Sequence, residues 1–160
     1  MKKLLLAFAA LLIVLGGLYF TQNYLKAGGK ISFLKNVPIV TINNQNFKVT
    51  IAASQKEKEI GLSETKSISK DQGMLFIFNQ PAYYSFWMKN MKFPIDIIYI
   101  NNDTIVTIES NAQPPKDGQK NPVIYTPTKP ADKVLEIQAG LSEKYKFKNG
   151  DKVKYENLSN

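Results

Sequence analysis

From residue 38 onward this chain is built of short runs of valine, isoleucine, threonine and aromatic residues, each soon closed by asparagine, glycine or proline. Runs this brief are too short for helices that bury one face, and β-branched side chains suit a pleated, half-buried surface. Residues 38–42 and 47–52 flank Asn43-Asn44-Gln45-Asn46, a hairpin signal because asparagine tolerates left-handed backbone angles. Residues 74–78 form a strand entered through Gly73; Asn79-Gln80-Pro81 should break it before a second strand over 82–88. Pro94 precedes a strand over 95–100, and Asn101-Asn102-Asp103 turns it into another over 105–108. Residues 123–125, 133–137 and 152–156 complete the set. Ser54-Gln55-Lys56-Glu57 is a capping box that opens a helix of about two turns ending at Gly61. Ala139-Gly140 opens a second helical turn around 141–147. The expected fold is mainly β, a compact antiparallel sandwich or barrel of about eight short strands with one or two short helices.

The N-terminus obeys different rules. Residues 4–20 carry no charge and no strongly polar side chain. As a helix they would span roughly 26 Å at ~1.5 Å per residue, the lower edge of a bilayer core. Lys2 and Lys3 precede them, which favours a cytoplasmic N-terminus with the remainder exported. Residues 1–22 are therefore expected to be a transmembrane signal anchor, or a signal peptide whose removal leaves a secreted or periplasmic protein. Residues 23–37, with Gly28-Gly29 and scattered lysines, read as a polar tether, and 38–157 as a single β domain. The expected location is the cell membrane, single-pass, with the C-terminal domain extracytoplasmic.

Composition narrows the chemistry. The chain has no cysteine and no histidine. That excludes disulfides, zinc held by sulfur or imidazole, Ser-His-Asp triads and Cys-His dyads. No cofactor and no metal are expected. The formal net charge of +8 looks like a nucleic-acid signal, but five of the lysines lie before residue 37. The folded part holds sixteen lysines against thirteen acids, and no arginine is present to read guanine edges. No nucleic-acid partner is expected; the basic flank suits an anionic membrane surface.

Phe86-Trp87-Met88-Lys89-Asn90, followed by Phe93-Pro94-Ile95-Asp96, puts a lysine, an amide and a carboxylate inside an apolar stretch with the single tryptophan. A buried charge is costly unless paired and hydrogen-bonded. In the structural reading Asp96 caps backbone amides of the proline loop, pairs with Lys89 and fixes a turn, while Trp87 supplies core packing area. In the functional reading Trp87 stacks on a small polar or glycan-like ligand and Lys89, Asn90 and Asp96 hydrogen-bond it. Glu136, between Leu135 and Ile137, should point to solvent in an alternating strand. The sharper alternative pairs Glu136 with Asp96, beside Lys89, as a carboxylate site for hydrolase or lyase chemistry.

Gly73-Met74-Leu75-Phe76-Ile77-Phe78, Ser85-Phe86-Trp87-Met88-Lys89-Asn90, Pro94-Ile95-Asp96-Ile97-Ile98, Pro130-Ala131, Val134-Leu135-Glu136 and Ala139-Gly140 stand in the order and spacing of a known family. With the closing Asn149-Gly150-Asp151 turn, residues 38–156 resemble the domain of unknown function 192 family. Met91 stands where that family usually has threonine, and Ser63 where it usually has methionine. The resemblance implies a compact, mostly β fold, often behind an export signal, and no established activity. The expected function is a membrane-tethered, non-catalytic binding module for a small polar ligand or an envelope partner. A structural or assembly factor is the third reading, with residues 110–122 or the hairpin edges meeting another protein.

Overall fold

The computed structural model describes residues 37–158 except 117 and 120, and Tyr19 in the segment before them. Apart from Tyr19 and Val37, the expected anchor and tether fall outside the described residues. Among the described residues no helix is long and apolar enough to cross a membrane.

Among residues 37–158, nine strands and two helices follow in the order β1 (Ile39–Ile42), β2 (Gln45–Ala52), α1 (Gln55–Ile60), β3 (Gln72–Ala82), β4 (Phe86–Trp87), β5 (Ile95–Asn101), β6 (Thr104–Ala112), β7 (Ile124–Tyr125), β8 (Ala131–Gln138), α2 (Leu141–Lys144) and β9 (Val153–Glu156). Seven strands form one sheet in the order β6-β5-β8-β3-β2-β1-β9, and β4 pairs with β7 in a separate ribbon. The large sheet curls until its edges meet. A bridge joins Thr104 to Lys152, and the Ile105 amide donates to the Asp151 carbonyl at 3.0 Å. The result is a half-barrel joined at one end.

The first hairpin is tighter than the sequence indicates. Asn43 and Asn44 alone make the turn, both at positive φ (46° and 64°), so Gln45 already belongs to β2. The capping box forms as expected: Ser54 accepts from the Glu57 amide, and the Glu57 carboxylate accepts from the Ser54 amide at 2.8 Å.

Three expectations about the strands need correction. The sheet is mixed, because β2 and β3 run parallel, Lys48 facing Gln72 and Ala52 facing Phe76. Residues 53–71, with α1, form the crossover that a parallel pair requires, so the helix sets strand direction instead of merely decorating the sheet. Asn79-Gln80-Pro81 does not end β3: the register slips between Ile77 and Ala82, and Ala82 pairs again with Ala131. A bulge absorbs the proline. The expected strand over 82–88 shrinks to Phe86–Trp87, which leaves the main sheet and pairs Phe86 with Tyr125 and Trp87 with Ile124.

β5 is buried along both faces from Ile95 to Ile100. On one side Ile98, Ile100, Leu135, Ile137, Phe47 and Val153 belong to an apolar cluster inside the curl. On the other, Ile97, Tyr99, Phe76, Val134 and Met88 form a second cluster, partly covered by Phe86 and Tyr125 of the ribbon. Gly73 lets β3 and β8 close up between them, since a Cβ there would lie 2.7 Å from the Glu136 carbonyl oxygen. Gly73→Ala should therefore cost about 1–3 kcal/mol of overpacking strain and shift a urea midpoint downward without changing its slope.

Candidate functional site

The ribbon builds the site. Phe86 turns inward, edge-on to Phe76 (centroids 5.0 Å) and to Tyr99 (5.9 Å). The Tyr99 hydroxyl donates to the Tyr125 carbonyl at 2.8 Å, pinning β7 to β5. Successive residues of a strand point to opposite sides. Trp87 therefore faces outward and is 48% exposed, whereas Met88 is buried. This corrects the expectation that Trp87 is core: the inward positions belong to Phe86 and Met88.

Beneath Trp87 lies a cleft of about 940 Å³, with α1 and the loop after it on one side and β3 and β4 on the other. Phe78 and Tyr84 form one wall, their rings stacked at 3.6 Å. The Tyr84 hydroxyl donates to the Gln80 carbonyl at 3.0 Å, which closes the loop that carries both. Lys58 of α1 places its Nζ 4.6 Å from the Phe78 ring centroid, and Lys89 places its own 5.1 Å from that of Trp87. Each ammonium lies within cation–π range of a ring that lines the cleft.

Glu136 lines the same cleft. Its registers with Ile97 and Met74 put it on the face of the second apolar cluster. It is 6% exposed, and its Oε2 is buried without a hydrogen-bond partner among the described residues. Burial pushes its carboxyl up to about 8. The solvent-facing position expected for Glu136 is thus corrected. Alternation along β8 does turn it away from Leu135 and Ile137, but that face of the sheet is covered.

Asp96 has a different task. It is fully buried and lines neither this cleft nor its neighbour. Its Oδ1 accepts from the amides of Asn111 (2.8 Å) and Gly140 (3.0 Å), and its Oδ2 from the Ser142 amide (2.8 Å). Amide capping was expected, but the donors are the end of β6 and the turn into α2 in place of the proline loop. The expected Lys89 pairing is also corrected, since Lys89 is exposed and lies over Trp87. Asp96 faces Ile137 and Glu136 faces Ile97. Residues opposite one another share a face, so the two carboxylates lie on opposite faces of the sheet and form no acid–base pair.

Asn90, at φ 58°, lines an adjoining cavity of about 680 Å³ with Gln113, Pro115, Lys116 and Val123. Trp87, Met88 and Lys89 border both cavities. Of the sequence-derived set, the cleft unites Trp87, Lys89 and Glu136; Asn90 sits next door and Asp96 stands apart. Lys58 and Phe78 escaped sequence reasoning, because only the parallel crossover brings α1 beside β3; Tyr84, which as a neighbour of Trp87 could belong to core or site, stands in the cleft wall. Among the described residues no cluster of three or more acids could hold a metal ion.

Comparison with known proteins agrees with this architecture. The profile of the DUF192 family, described as "Uncharacterized ACR", matches residues 38–155. A crystal structure of a protein of unknown function from Novosphingobium aromaticivorans is 31% identical, over 72% of this chain and 83% of that one, with a TM-score of 0.64. A Sinorhizobium meliloti protein, named as a proposed transcription regulator, is 28% identical over 76% of this chain and 93% of its own, with a TM-score of 0.66. No curated protein matches.

Proposed function

Since this chain belongs to the DUF192 family, whose activity is uncharacterised, we propose that its β domain is a non-catalytic binding module that holds a small, polar, ring-bearing ligand in the Trp87 cleft. The observation that carries this reading is the half-exposed tryptophan at the border of a cleft with polar side chains along its walls. An aromatic face with convergent polar groups suits sugars and similar rings. Glu136 is the one carboxyl buried in the cleft, Asp96 lies on the opposite face of the sheet, and Glu109, two strands away on the same face, does not line the cleft, which favours binding over hydrolysis. Residues 4–20 serve, in this reading, as a membrane anchor that holds the domain outside the cytoplasm, a placement that membrane fractionation with and without that segment would check.

The test uses the single tryptophan. Acrylamide should quench its emission strongly, as for a ring open to solvent. A bound ring should protect it, and Trp87→Ala should abolish binding with little change in melting temperature. Weak quenching with blue-shifted emission would sink the proposal. A second reading, a protein partner, is favoured by the exposed apolar residues Val123 and Ile124 beside Trp87. Capture of an envelope protein that survives Lys89→Ala but fails in Ile124→Asp would support it.

A further inference from the structure

Glu136 holds an unusual position in the cleft. A carboxyl whose Oε2 is buried and unpartnered is an unmet hydrogen-bonding group, and native interiors keep few of these. The charged groups around it are few: on the β6 side Glu109 shares its face of the sheet, both being paired with Ile97, but does not line the cleft. α1 contributes Lys58 and Glu59 to the walls, and the segment after β4 contributes Lys89. β5 contributes the Tyr99 hydroxyl, already committed to Tyr125. The β3 residues on this face, Met74 and Phe76, bring no charge. Glu59 accepts from Gln55 at 2.9 Å. Lys58 and Lys89 make no salt bridge among the described residues.

We infer that the ligand carries an anionic oxygen, received by the carboxyl of Glu136 as donor on the cleft floor and by the ammonium groups of Lys58 and Lys89 on its walls. The inference rests on the binding reading above and names the ligand class of that same site. A protonated carboxyl supplies one O–H donor as well as acceptor capacity, and bonds to an ionised partner are roughly twice as strong as neutral ones. A cationic ligand would meet two ammonium groups in a confined cleft and would have to compete with them for the aromatic faces. A neutral ring would leave both ammonium groups with no carboxylate in salt-bridge range among the described residues. Uronic acids and sugar phosphates both satisfy the arrangement, sharing a polar ring and an anionic group.

Burial keeps Glu136 protonated up to about pH 8, so the donor is present at neutral pH. Above that it ionises, the donor is lost and the anion is repelled. Affinity for an anionic ring should therefore fall as pH rises through 8, while affinity for a neutral ring should change little.

The full chain titrated with glucose, glucuronate, glucose 6-phosphate and glucosamine, at pH 6.5 and 9, tests this by Trp87 fluorescence and calorimetry. An anionic sugar should bind at least tenfold more tightly than glucose at pH 6.5, and glucosamine should be the weakest. Which anion wins distinguishes carboxylate from phosphate. The preference should shrink about tenfold by pH 9, and Glu136→Gln, which keeps a neutral donor, should abolish that pH dependence. Lys58→Gln with Lys89→Gln should cut the preference at least fivefold. Glucose binding as tightly as glucuronate and glucose 6-phosphate would overturn the anion assignment and leave the cleft reading standing. No response to any of the four sugars would overturn both.

Discussion

Glu136→Gln is expected to raise the melting temperature at pH 8 by about 10 °C and to leave it nearly unchanged at pH 4.5. The cause is proton linkage. In the unfolded chain the carboxyl ionises near its ordinary value of 4.5, whereas burial holds the folded group up to about 8. Between those values the folded state binds more protons than the unfolded state, so stability falls as pH rises and levels off above 8. Each unit of difference amounts to about 1.4 kcal/mol, which places the full loss on the order of 3–5 kcal/mol. Glutamine is neutral in both states and removes the slope. Thermal denaturation of both proteins from pH 4 to 9 checks the prediction, and parallel curves would show that Glu136 is ionised in the fold.

Asp96→Ala is expected to be among the most destabilising single substitutions in the domain, by about 3 kcal/mol or more. It leaves the amides of Asn111, Gly140 and Ser142 without an acceptor, and a buried unsatisfied group costs about 1–3 kcal/mol. The Ser142 amide is the most buried of the three and contributes most. Asp96→Asn should fall between, since one amide oxygen can still serve Asn111 and Gly140 while its NH₂ group meets the Ser142 N–H. Urea unfolding measures the ranking wild type, Asn, Ala. Ligand affinity of the folded fraction should not change, because Asp96 lies on the face away from the cleft. A tenfold loss of affinity with stability intact would assign Asp96 to the site after all.

These two carboxylates show how far the amino-acid sequence reads. Both sit amid apolar neighbours; the sequence marks Asp96 as needing a partner or water, whereas Glu136 reads as the solvent-facing member of an alternating strand. Alternation along β5 and β8 was legible too. The pairing of those strands was not, because it joins residues some forty positions apart, Ile97 with Glu136. With that register known, Asp96 turns toward the amides of α2 and Glu136 toward the cleft. Trp87 follows the same logic: its motif was evident, but whether Phe86 or Trp87 faces inward depends on which strand covers the ribbon.

Local interactions were enough to determine the capping box at Ser54, the asparagine turns and the short β runs, because each is decided by hydrogen bonds and backbone angles within a few residues. The same local evidence limits catalysis, since a chain without histidine or cysteine lacks those groups however it folds. The tertiary structure alone decided the parallel β2–β3 pair, the bulge over Pro81, and the assembly of Lys58, Trp87, Lys89 and Glu136 around one cleft. All of these depend on contacts between distant segments, where one residue of register reverses which side chains meet.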